Sequence, residues 1–180
     1  MKVIETKIKG LLILELDSYT DDRGFFSETF NAKKYSDYGI HEIFVQDNVS
    51  LSKKGTLRGL HYQIPPKAQA KLCQVLKGKV IDVAVDLRIC SPTFGQHCSI
   101  ILSEENHTQL FIPKGFAHGF AAISDEVIFH YKCSDYYSRE NERAIKYNDP
   151  DLHIDWGIEN PNVSDKDRNA KTFREIEKVF

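Results

Sequence analysis

The feature that most constrains the fold of this 180-residue chain is a regular succession of short apolar or alternating segments. Between residues 43 and 133 they recur about every ten residues and are separated by Gly, Pro, Asn or Ser-Asp turns. Such a rhythm is typical of antiparallel sandwiches and barrels rather than of alternating strands and helices. The sequence therefore predicts an all-β fold, a double-stranded β-helix or jelly roll, with small helices at its edges.

The predicted strands are residues 11–16, 24–30, 43–52, 56–63, 71–78, 79–88, 97–102, 109–113, 119–123 and 126–133. Within 79–88, the face that carries Ile81, Val83, Val85 and Leu87 must be buried. Residues 31–39 are predicted to form a short helix, with Asn31 as its N-cap and Gly39 as its stop. At the C-terminus, Ser164 and Asp167 resemble a capping box, and apolar residues at helical spacing predict a terminal helix. These apolar residues are Phe173, Ile176, Val179 and Phe180.

The length predicts a single domain over residues 1–180. The net charge of −2 provides no global basic field, so neither nucleic acid nor an anionic membrane surface is an expected partner. No signal-peptide pattern and no membrane-length apolar run is apparent, which favours a reducing cytoplasmic location. The four cysteines show no metal-binding spacing, and Cys73, Cys90 and Cys133 are interpreted as buried free thiols.

The predicted strand TLRGLHYQ contains two residues that a strand core does not need, Arg58 and His61. In strict alternation they lie on opposite faces of the strand, and each alone is more typical of structure or solvation than of function. Other segments supply partners for them. Residues 46–48 carry amides, His118 lies between two glycines, and Lys71 and Tyr131 lie on or beside other strands. Such a set fits a pocket for an anionic small molecule.

These side-chain types suggest proton transfer next to a carbonyl group. A histidine can take a proton at neutral pH, and a carboxylate can fix its tautomer. A tyrosine can return a proton from another direction, and a lysine can stabilise an enolate. Some jelly rolls instead bind a metal through closely spaced histidines, but the sequence HYQ lacks a second ligand two residues after His61. A metal site built from His61 and His118 stays open as an alternative, although none is expected.

Seven segments, in order and at matching spacing, resemble the dTDP-4-dehydrorhamnose 3,5-epimerase family along nearly the whole chain. They are DDRGFFSETF, VQDNVSLSKKGTLRGLHYQIPPKAQAKL, GKVIDVAVDLRICSPTFGQ, FIPKGFAHGF, YKCSDYY, YNDPDLHIDW and SDKD. The resemblance implies a cupin-type jelly roll without a metal or cofactor. It also implies conversion of dTDP-4-dehydro-6-deoxy-D-glucose to dTDP-4-dehydro-L-rhamnose, and a homodimer whose N-terminal strands cross between subunits.

The resemblance assigns roles residue by residue. The general base falls on His61, its carboxylate partner on Asp167, the acid on Tyr131 and the enolate-stabilising lysine on Lys71. His118 lines the pocket, Arg58 contacts the diphosphate, and Tyr137 stacks on thymine. The remaining substrate contacts implied by the family fall on Gln46, Asp47, Asn48, Glu142 and Lys166, and on Arg23 and Glu28 across the dimer interface.

Several of these residues also have ordinary structural interpretations. Arg23 and Glu28 could form a surface pair, Tyr137 could be a rim aromatic, and Asp167 could cap the terminal helix. The sequence GIENPNV before Ser164 departs from the family pattern, which leaves the loop near Asp167 less defined. Two other functions stay open. One is epimerisation at a single carbon or of another nucleotide-linked 4-ketosugar, and the other is a non-catalytic sugar-binding module or a metal-binding cupin.

Overall fold

The chain folds into two facing antiparallel sheets and an outlying hairpin, as the computed structural model shows for residues 1–180. The strands are β1 Lys2–Glu5, β2 Leu12–Glu15, β3 Tyr19–Asp21, β4 Gly24–Phe26, β5 Gln46–Lys53, β6 Leu57–Gln63, β7 Lys71–Lys77, β8 Lys79–Asp86, β9 His97–Ser103, β10 Thr108–Ile112, β11 Phe116–Ala122, β12 Glu126–Cys133 and β13 Glu142–Ala144. The helices are α1 Ala32–Asp37, α2 Asp165–Arg168 and a 3₁₀ turn, Phe173–Glu175. The predicted all-β jelly roll is confirmed.

Strands of the two sheets follow one another in mixed order along the chain. The six-stranded sheet has the order β1-β2-β10-β7-β12-β5, and the five-stranded sheet has the order β13-β6-β11-β8-β9. Strands β3 and β4 form a separate hairpin. Because most neighbouring strands are far apart in the chain, residues with very different numbers meet across the interior.

The main core fills the space between the sheets. Phe120 of the five-stranded sheet stacks on Phe129 of the six-stranded sheet, with ring centroids 4.2 Å apart. A second cluster, which includes Trp156 and Ile176, covers the outer face of the five-stranded sheet. Consequently β8 is buried on both faces from Asp82 to Asp86 rather than on one, and Asp82 is fully buried, whereas Ile81 is half-buried.

The predicted first helix is confirmed, whereas the predicted C-terminal helix is wrong. Asn31 caps α1 by accepting a hydrogen bond from the Lys34 amide at 3.3 Å. At the C-terminus only residues 165–168 and a 3₁₀ turn are helical. The Phe173 amide donates to the Asp149 carboxylate, and Phe180 packs beside Tyr62, so the apolar residues reach separate sites along an irregular chain.

The four cysteines are free, and burial of Cys73 and Cys133 is confirmed. Burial of Cys90 is wrong, because it lies in the loop after β8, where its apolar neighbour Ile89 is also exposed. Among the helices, none has both the length and the apolar character needed to cross a membrane.

Asp86 organises the loop that follows β8. The buried carboxylate accepts hydrogen bonds from the Arg88 guanidinium at 2.8 Å, from Ser91 Oγ at 2.6 Å and from Thr93 Oγ1 at 2.7 Å. Burial alone would raise the pKa of Asp86, but these donors outweigh it and lower the pKa to about 2. The ionised carboxylate therefore stabilises the folded state above its unfolded-state pKa of about 3.9.

We expect Asp86→Asn to lower the free energy of unfolding at pH 7 by about 2 kcal/mol. The difference from wild type should shrink as the pH falls from about 4 towards 2, because the wild-type carboxylate then loses its charge. Urea unfolding at several pH values measures both effects. Asp151→Asn is the control, because Asp151 pairs with the exposed Arg174 and its loss should cost less than about 1 kcal/mol. Equal effects of the two substitutions would contradict the prediction.

Candidate active site

A cavity of about 710 Å³ lies between the two sheets. Its polar and ionisable lining residues come from both sheets and from the segment around α2: Asn48, Ser50, Ser52, Lys53, Thr56, Arg58, His61, Lys71, His118, Tyr131, Asn162, Ser164, Lys166 and Asp167. A smaller cavity of about 130 Å³ shares His61, Lys71 and Tyr131 with it and extends towards Tyr137 and Glu142. The structure thus brings most of the predicted site residues to one place.

A β-bulge explains why Arg58 and His61 both face this cavity. On β11, His118 pairs with His61 and Phe120 pairs with Arg58, so two steps along β11 correspond to three steps along β6. The extra residue reverses the alternation of side chains within β6. As a result, two residues that strict alternation places on opposite faces lie on the same face.

The bulge requires glycine where β6 and β11 approach each other. Gly59 has φ +138°, and a Cβ atom at this position would lie 2.5 Å from Gly119 Cα. No larger side chain fits between the two backbones in this arrangement. Gly59 therefore lies between Arg58 and His61 in the sequence RGLH, and the bulge that it permits brings both side chains to the cavity.

His61 and Asp167 form a close pair at the cavity wall. His61 Nε2 lies 2.5 Å from Asp167 Oδ1, and the carboxylate is 4% exposed. The second carboxylate oxygen faces the Gly59 amide. Burial tends to raise the pKa of Asp167, but the hydrogen bond and charge of His61, together with hydrogen bonds from Gly59 and Ser164, outweigh burial and lower the pKa. Asp167 is thus ionised at neutral pH and fixes the position of the imidazole ring.

The pair also determines which nitrogen of His61 can react. An ionised carboxylate only accepts hydrogen bonds, so Nε2 carries the proton and Nδ1 keeps its lone pair. The His61 side chain is 31% exposed and lines both cavities. Nδ1 can therefore take a proton from a bound molecule while Asp167 stabilises the resulting imidazolium.

Asp167 does not use its side chain as a helix cap. Ser164 caps α2 by accepting a hydrogen bond from the Asp167 amide at 3.1 Å, whereas the Asp167 carboxylate is directed to His61 and Gly59. One turn of helix thus holds a carboxylate against a strand of the five-stranded sheet.

We expect Asp167→Asn to lower kcat by about 10²- to 10³-fold with little change in KM, because asparagine neither fixes the tautomer nor balances the imidazolium charge. Steady-state kinetics with the substrate that the family resemblance implies measures the effect. Asp165→Asn, on the same helical turn but exposed, should leave kcat within about threefold of wild type. Similar losses in both variants would indicate damage to α2 rather than loss of the pair.

Tyr131 faces the cavity from the opposite side. It lies on β12 of the six-stranded sheet, whereas His61 lies on β6 of the five-stranded sheet. Burial raises the pKa of Tyr131 to about 12, so the phenol stays protonated and can donate a proton. The Lys71 ammonium is 5.8 Å from the centre of the Tyr131 ring and has no carboxylate partner within 4 Å.

His118 lies deeper in the same wall and has its own carboxylate. His118 Nε2 is 2.7 Å from Asp82 Oδ1, and both residues are buried. Burial lowers the pKa of His118 despite the nearby carboxylate, which keeps the ring neutral at physiological pH. Sequence reasoning did not select Asp82, although a carboxylate between Ile81 and Val83 in a buried strand was a usable signal.

A connected polar group forms the rim of the smaller cavity. The Glu142 carboxylate is 2.5 Å from Lys166 Nζ and accepts a hydrogen bond from the Tyr137 hydroxyl at 3.0 Å. Gln46 accepts a hydrogen bond from the Tyr137 amide and donates one to Asn48. The exposed ring of Tyr137 is thereby held at the cavity mouth, where a planar group could stack on it.

Arg58 is a cation without a carboxylate partner. Its guanidinium donates to Ser52 Oγ at 3.1 Å and to the Leu51 carbonyl at 3.3 Å, which leaves further donors for an anion. Ser50, on the same face of β5, has a buried hydroxyl without a hydrogen-bond partner. Sequence reasoning missed these serines, although N-x-S-x-S alternation from Asn48 predicts a polar face.

Three predicted site residues lie outside the cavity of their own chain. The Asp47 carboxylate is bound to Lys132 at 2.9 Å, on the face of β5 opposite to Asn48. Arg23 is bonded to Asp21 on the exposed hairpin, and Glu28 is 2.7 Å from Lys34. Arg23 and Glu28 do not pair with each other, and their predicted contacts across a dimer stay a prediction.

Comparison with known proteins gives consistent matches over the whole chain. The family model described as dTDP-4-dehydrorhamnose 3,5-epimerase matches residues 5–175. The dTDP-4-dehydrorhamnose 3,5-epimerase of Shigella flexneri is 51% identical over 174 residues, which cover 96% of each chain.

Solved structures agree with these sequence matches. A dTDP-6-deoxy-D-glucose-3,5-epimerase from Legionella pneumophila, in complex with dTDP-4-keto-L-rhamnose, superposes with a TM-score of 0.95 at 53% identity and covers 98% of this chain and 94% of its own. ChmJ, a 3'-monoepimerase from Streptomyces bikiniensis in complex with dTDP-quinovose, superposes with a TM-score of 0.87 at 35% identity, over 94% and 86% of the two chains. By its sequence and its fold, the chain belongs to the dTDP-4-dehydrorhamnose 3,5-epimerase family.

Proposed function

We propose that this enzyme converts dTDP-4-dehydro-6-deoxy-D-glucose to dTDP-4-dehydro-L-rhamnose, with His61 as the base and Tyr131 as the acid. The observation that carries the proposal is the placement of these two side chains, which line one cavity from opposite sheets. Inverting a carbon centre requires removal of a proton from one face of the sugar and return of a proton to the other face. A base and an acid on opposite walls meet that requirement.

The C4 ketone of the substrate makes both proton removals possible. C3 and C5 each flank the carbonyl group, so loss of a proton from either carbon gives an enolate with negative charge on the C4 oxygen. His61 takes the proton at Nδ1, and Asp167 stabilises the imidazolium. Tyr131 then gives its phenolic proton to the same carbon from the other side, and the enolate collapses to the ketone. Proton exchange with water restores both residues before the second carbon reacts.

Lys71 is the group placed to stabilise the enolate oxygen. It begins β7 and lines both cavities together with His61 and Tyr131. An ammonium without a carboxylate partner interacts more strongly with charge that develops in a partly dry cavity than with the neutral ketone. His118 adds a neutral polar wall beside it.

The rest of the substrate fits the outer part of the cavity. We assign the diphosphate to Arg58, whose guanidinium suits bidentate phosphate binding, together with the serine face of β5. Thymine is assigned to the exposed ring of Tyr137, with Gln46, Asn48, Glu142 and Lys166 around it.

The product identifies the reaction. Purified enzyme is incubated with dTDP-4-dehydro-6-deoxy-D-glucose and a nicotinamide-dependent 4-ketoreductase that accepts the double epimer. Formation of dTDP-L-rhamnose, identified by NMR, is the expected result. Recovery of unchanged substrate under conditions in which the Shigella flexneri enzyme reacts would contradict the proposal.

Epimerisation at a single carbon is the second candidate. The similarity to ChmJ favours keeping it, because the fold is shared with a 3'-monoepimerase. The same base and acid serve either reaction, and only the position of the ring decides which carbons react. A product inverted at C3 alone, stable on prolonged incubation, would replace the first candidate with the second.

We further propose that the enzyme is a homodimer. The β3–β4 hairpin carries three exposed aromatic residues, Tyr19, Phe25 and Phe26, with 63–68% of their surface accessible. Edge strand β5 exposes Val49 and Leu51 beside the cavity. Apolar groups concentrated at a hairpin and an open sheet edge are typical of surfaces that pair with another subunit.

Light scattering at micromolar concentration should give a mass twice the 20.7 kDa of one chain. Replacing Phe26 with serine should shift the protein towards the monomer, because it removes most of one large apolar contact per subunit. Tyr38→Ser, at an exposed aromatic outside the hairpin, is the control. A wild-type monomer at this concentration would contradict the proposal.

The proposed location is the cytoplasm. Four free cysteines in an otherwise ordinary fold fit a reducing compartment, where their thiols persist without forming disulfides.

A further inference from the structure

A second group of chemically active side chains lies against the cavity wall, around His118. It consists of Cys73 on β7, Asp82 on β8 and His118 on β11, so it joins both sheets. One ligand atom from each residue lies within 4.8 Å of the others. Cys73 Sγ is 3.8 Å from His118 Nε2, which is 2.7 Å from Asp82 Oδ1.

One carboxylate oxygen of this group has no hydrogen-bond donor. Asp82 Oδ2 is buried and has no hydrogen-bond partner, although the residue has no accessible surface. A buried carboxylate oxygen without a donor costs free energy, and such groups are rare in folded proteins. A cation bound by the Asp82 carboxylate would supply the partner that no protein donor provides.

We propose that Cys73, Asp82 and His118 form a binding site for a thiophilic divalent cation such as Zn²⁺. Thiolate, imidazole and carboxylate are the three ligand types that Zn²⁺ prefers. Tetrahedral bonds of about 2.0–2.3 Å place neighbouring ligand atoms roughly 3.3–3.6 Å apart. The present separations of 2.7 Å and 3.8 Å lie on either side of that range, so side-chain shifts of less than about 1 Å would admit the ion. His118 lines the cavity, so the fourth position opens towards it and accepts water.

The charges of the ligands also suit a divalent cation. Binding of Zn²⁺ releases the proton of the Cys73 thiol to solvent, and the imidazole proton of His118 moves from Nε2 to Nδ1. The thiolate and the Asp82 carboxylate then balance the two positive charges.

Occupation of this site would inhibit the enzyme. A cation bound to His118 Nε2 prevents this ring from contacting the substrate. Its water or hydroxide ligand would lie next to Tyr131, because Tyr131 of β12 is paired with Cys73 of β7. This consequence rests on the proposed function, whereas metal binding itself does not. The site therefore predicts an epimerase that loses activity on exposure to free zinc and recovers with a chelator.

Cobalt provides a direct spectroscopic test on the full-length enzyme, freed of metal and kept reduced. Titration with Co²⁺ alone should give a thiolate-to-metal charge-transfer band and the visible bands of four-coordinate cobalt, saturating at one ion per chain. Cys73→Ser and Cys73→Ala should each remove the charge-transfer band and weaken binding at least about 100-fold. Cys98→Ser, at a partly buried thiol outside the group, should retain both.

Two results would overturn the proposal. The first is no charge-transfer band in the wild type at millimolar Co²⁺. The second is a band that survives in both Cys73 variants and disappears in Cys90→Ser, which would assign it to the exposed thiol. Two Cys73 variants are used because the residue is buried in the main core, and circular dichroism identifies those that fold.

Inhibition by Zn²⁺ tests the link to activity separately. Half-inhibition of turnover should require at least about 100-fold more Zn²⁺ in a folded Cys73 variant than in wild type or Cys98→Ser. If cobalt binds at Cys73 but zinc leaves turnover unchanged, the site stands and its inhibitory role is wrong. If neither the wild type nor any variant catalyses epimerisation, the proposed function is wrong, while the spectroscopic evidence for metal binding is unaffected.

Discussion

Replacing His61 with asparagine is expected to lower kcat by about 10³- to 10⁴-fold while the protein stays folded. His61 is the group whose free ring nitrogen faces the cavity from the five-stranded sheet, and asparagine has no comparable basicity. Without a base, neither C3 nor C5 loses its proton, so epimerisation and proton exchange should fall together. The amide nitrogen of the shorter asparagine lies near the position of histidine Nδ1, so the hydrogen bond from Nε2 to Asp167 is lost together with the base.

The control for this variant is His153→Asn. His153 is exposed and has φ +49°, a left-handed conformation that asparagine tolerates. The His153→Asn variant should retain wild-type kcat and unfold within about 1 kcal/mol of wild type, whereas His61→Asn should lose about 1–3 kcal/mol and stay folded. Activity of His61→Asn near that of the wild type would remove His61 from the role of base.

Replacing Tyr131 with phenylalanine is expected to slow epimerisation much more than it slows exchange of substrate protons with solvent. Epimerisation should fall by about 10²- to 10³-fold, because the acid that delivers a proton to the second face is missing. Exchange of substrate protons with solvent should fall much less, since His61 can still remove a proton and return one to the same face. Exchange and epimerisation are measured together by proton NMR in deuterated water.

Two further observations test the assignment of Tyr131. Because burial raises the pKa of Tyr131 to about 12, the phenol stays protonated and kcat should not decline between pH 8 and 10. Tyr136→Phe, at a residue that is 61% exposed, should change neither rate. If exchange and epimerisation fall in step in Tyr131→Phe, another group returns the proton.

Much of the fold was predictable from the chain because short strands and turns leave local signals. The eight segments between residues 43 and 133 correspond to strands β5 to β12, and Asn31 caps the first helix as expected. The irregular path of the C-terminal segment, where a helix was predicted, could not be read from residue spacing alone. Residues with helical periodicity there are fixed individually by distant partners, such as Asp149 for the Phe173 amide.

The residues of the candidate site were predictable from the sequence, but their arrangement in space was not. Strict alternation separates Arg58 from His61, and only the bulge against β11 brings both to the cavity. Nothing in a single sequence reports the register of two strands so far apart in the chain. Conversely, alternation does account for Asp47, whose side chain lies opposite to those of Gln46 and Asn48.

The fold explains why a cavity between two sheets suits stereochemical inversion. Each wall is built from several strands, so the positions of base and acid are fixed by different sheets rather than by one flexible loop. Asp167 adds a restraint from outside the sheets, because α2 holds it against β6. The two proton-transfer groups are therefore held in place before substrate binds.

The most direct test of this mechanism is proton NMR of dTDP-4-dehydro-6-deoxy-D-glucose with the wild-type enzyme in deuterated water. We expect deuterium at both C3 and C5, with inversion at both carbons, because one base and one acid on opposite walls serve two positions that flank the same ketone. Deuterium at C3 alone would identify a monoepimerase. Absence of deuterium at both carbons would contradict proton transfer by His61 and Tyr131 on this substrate.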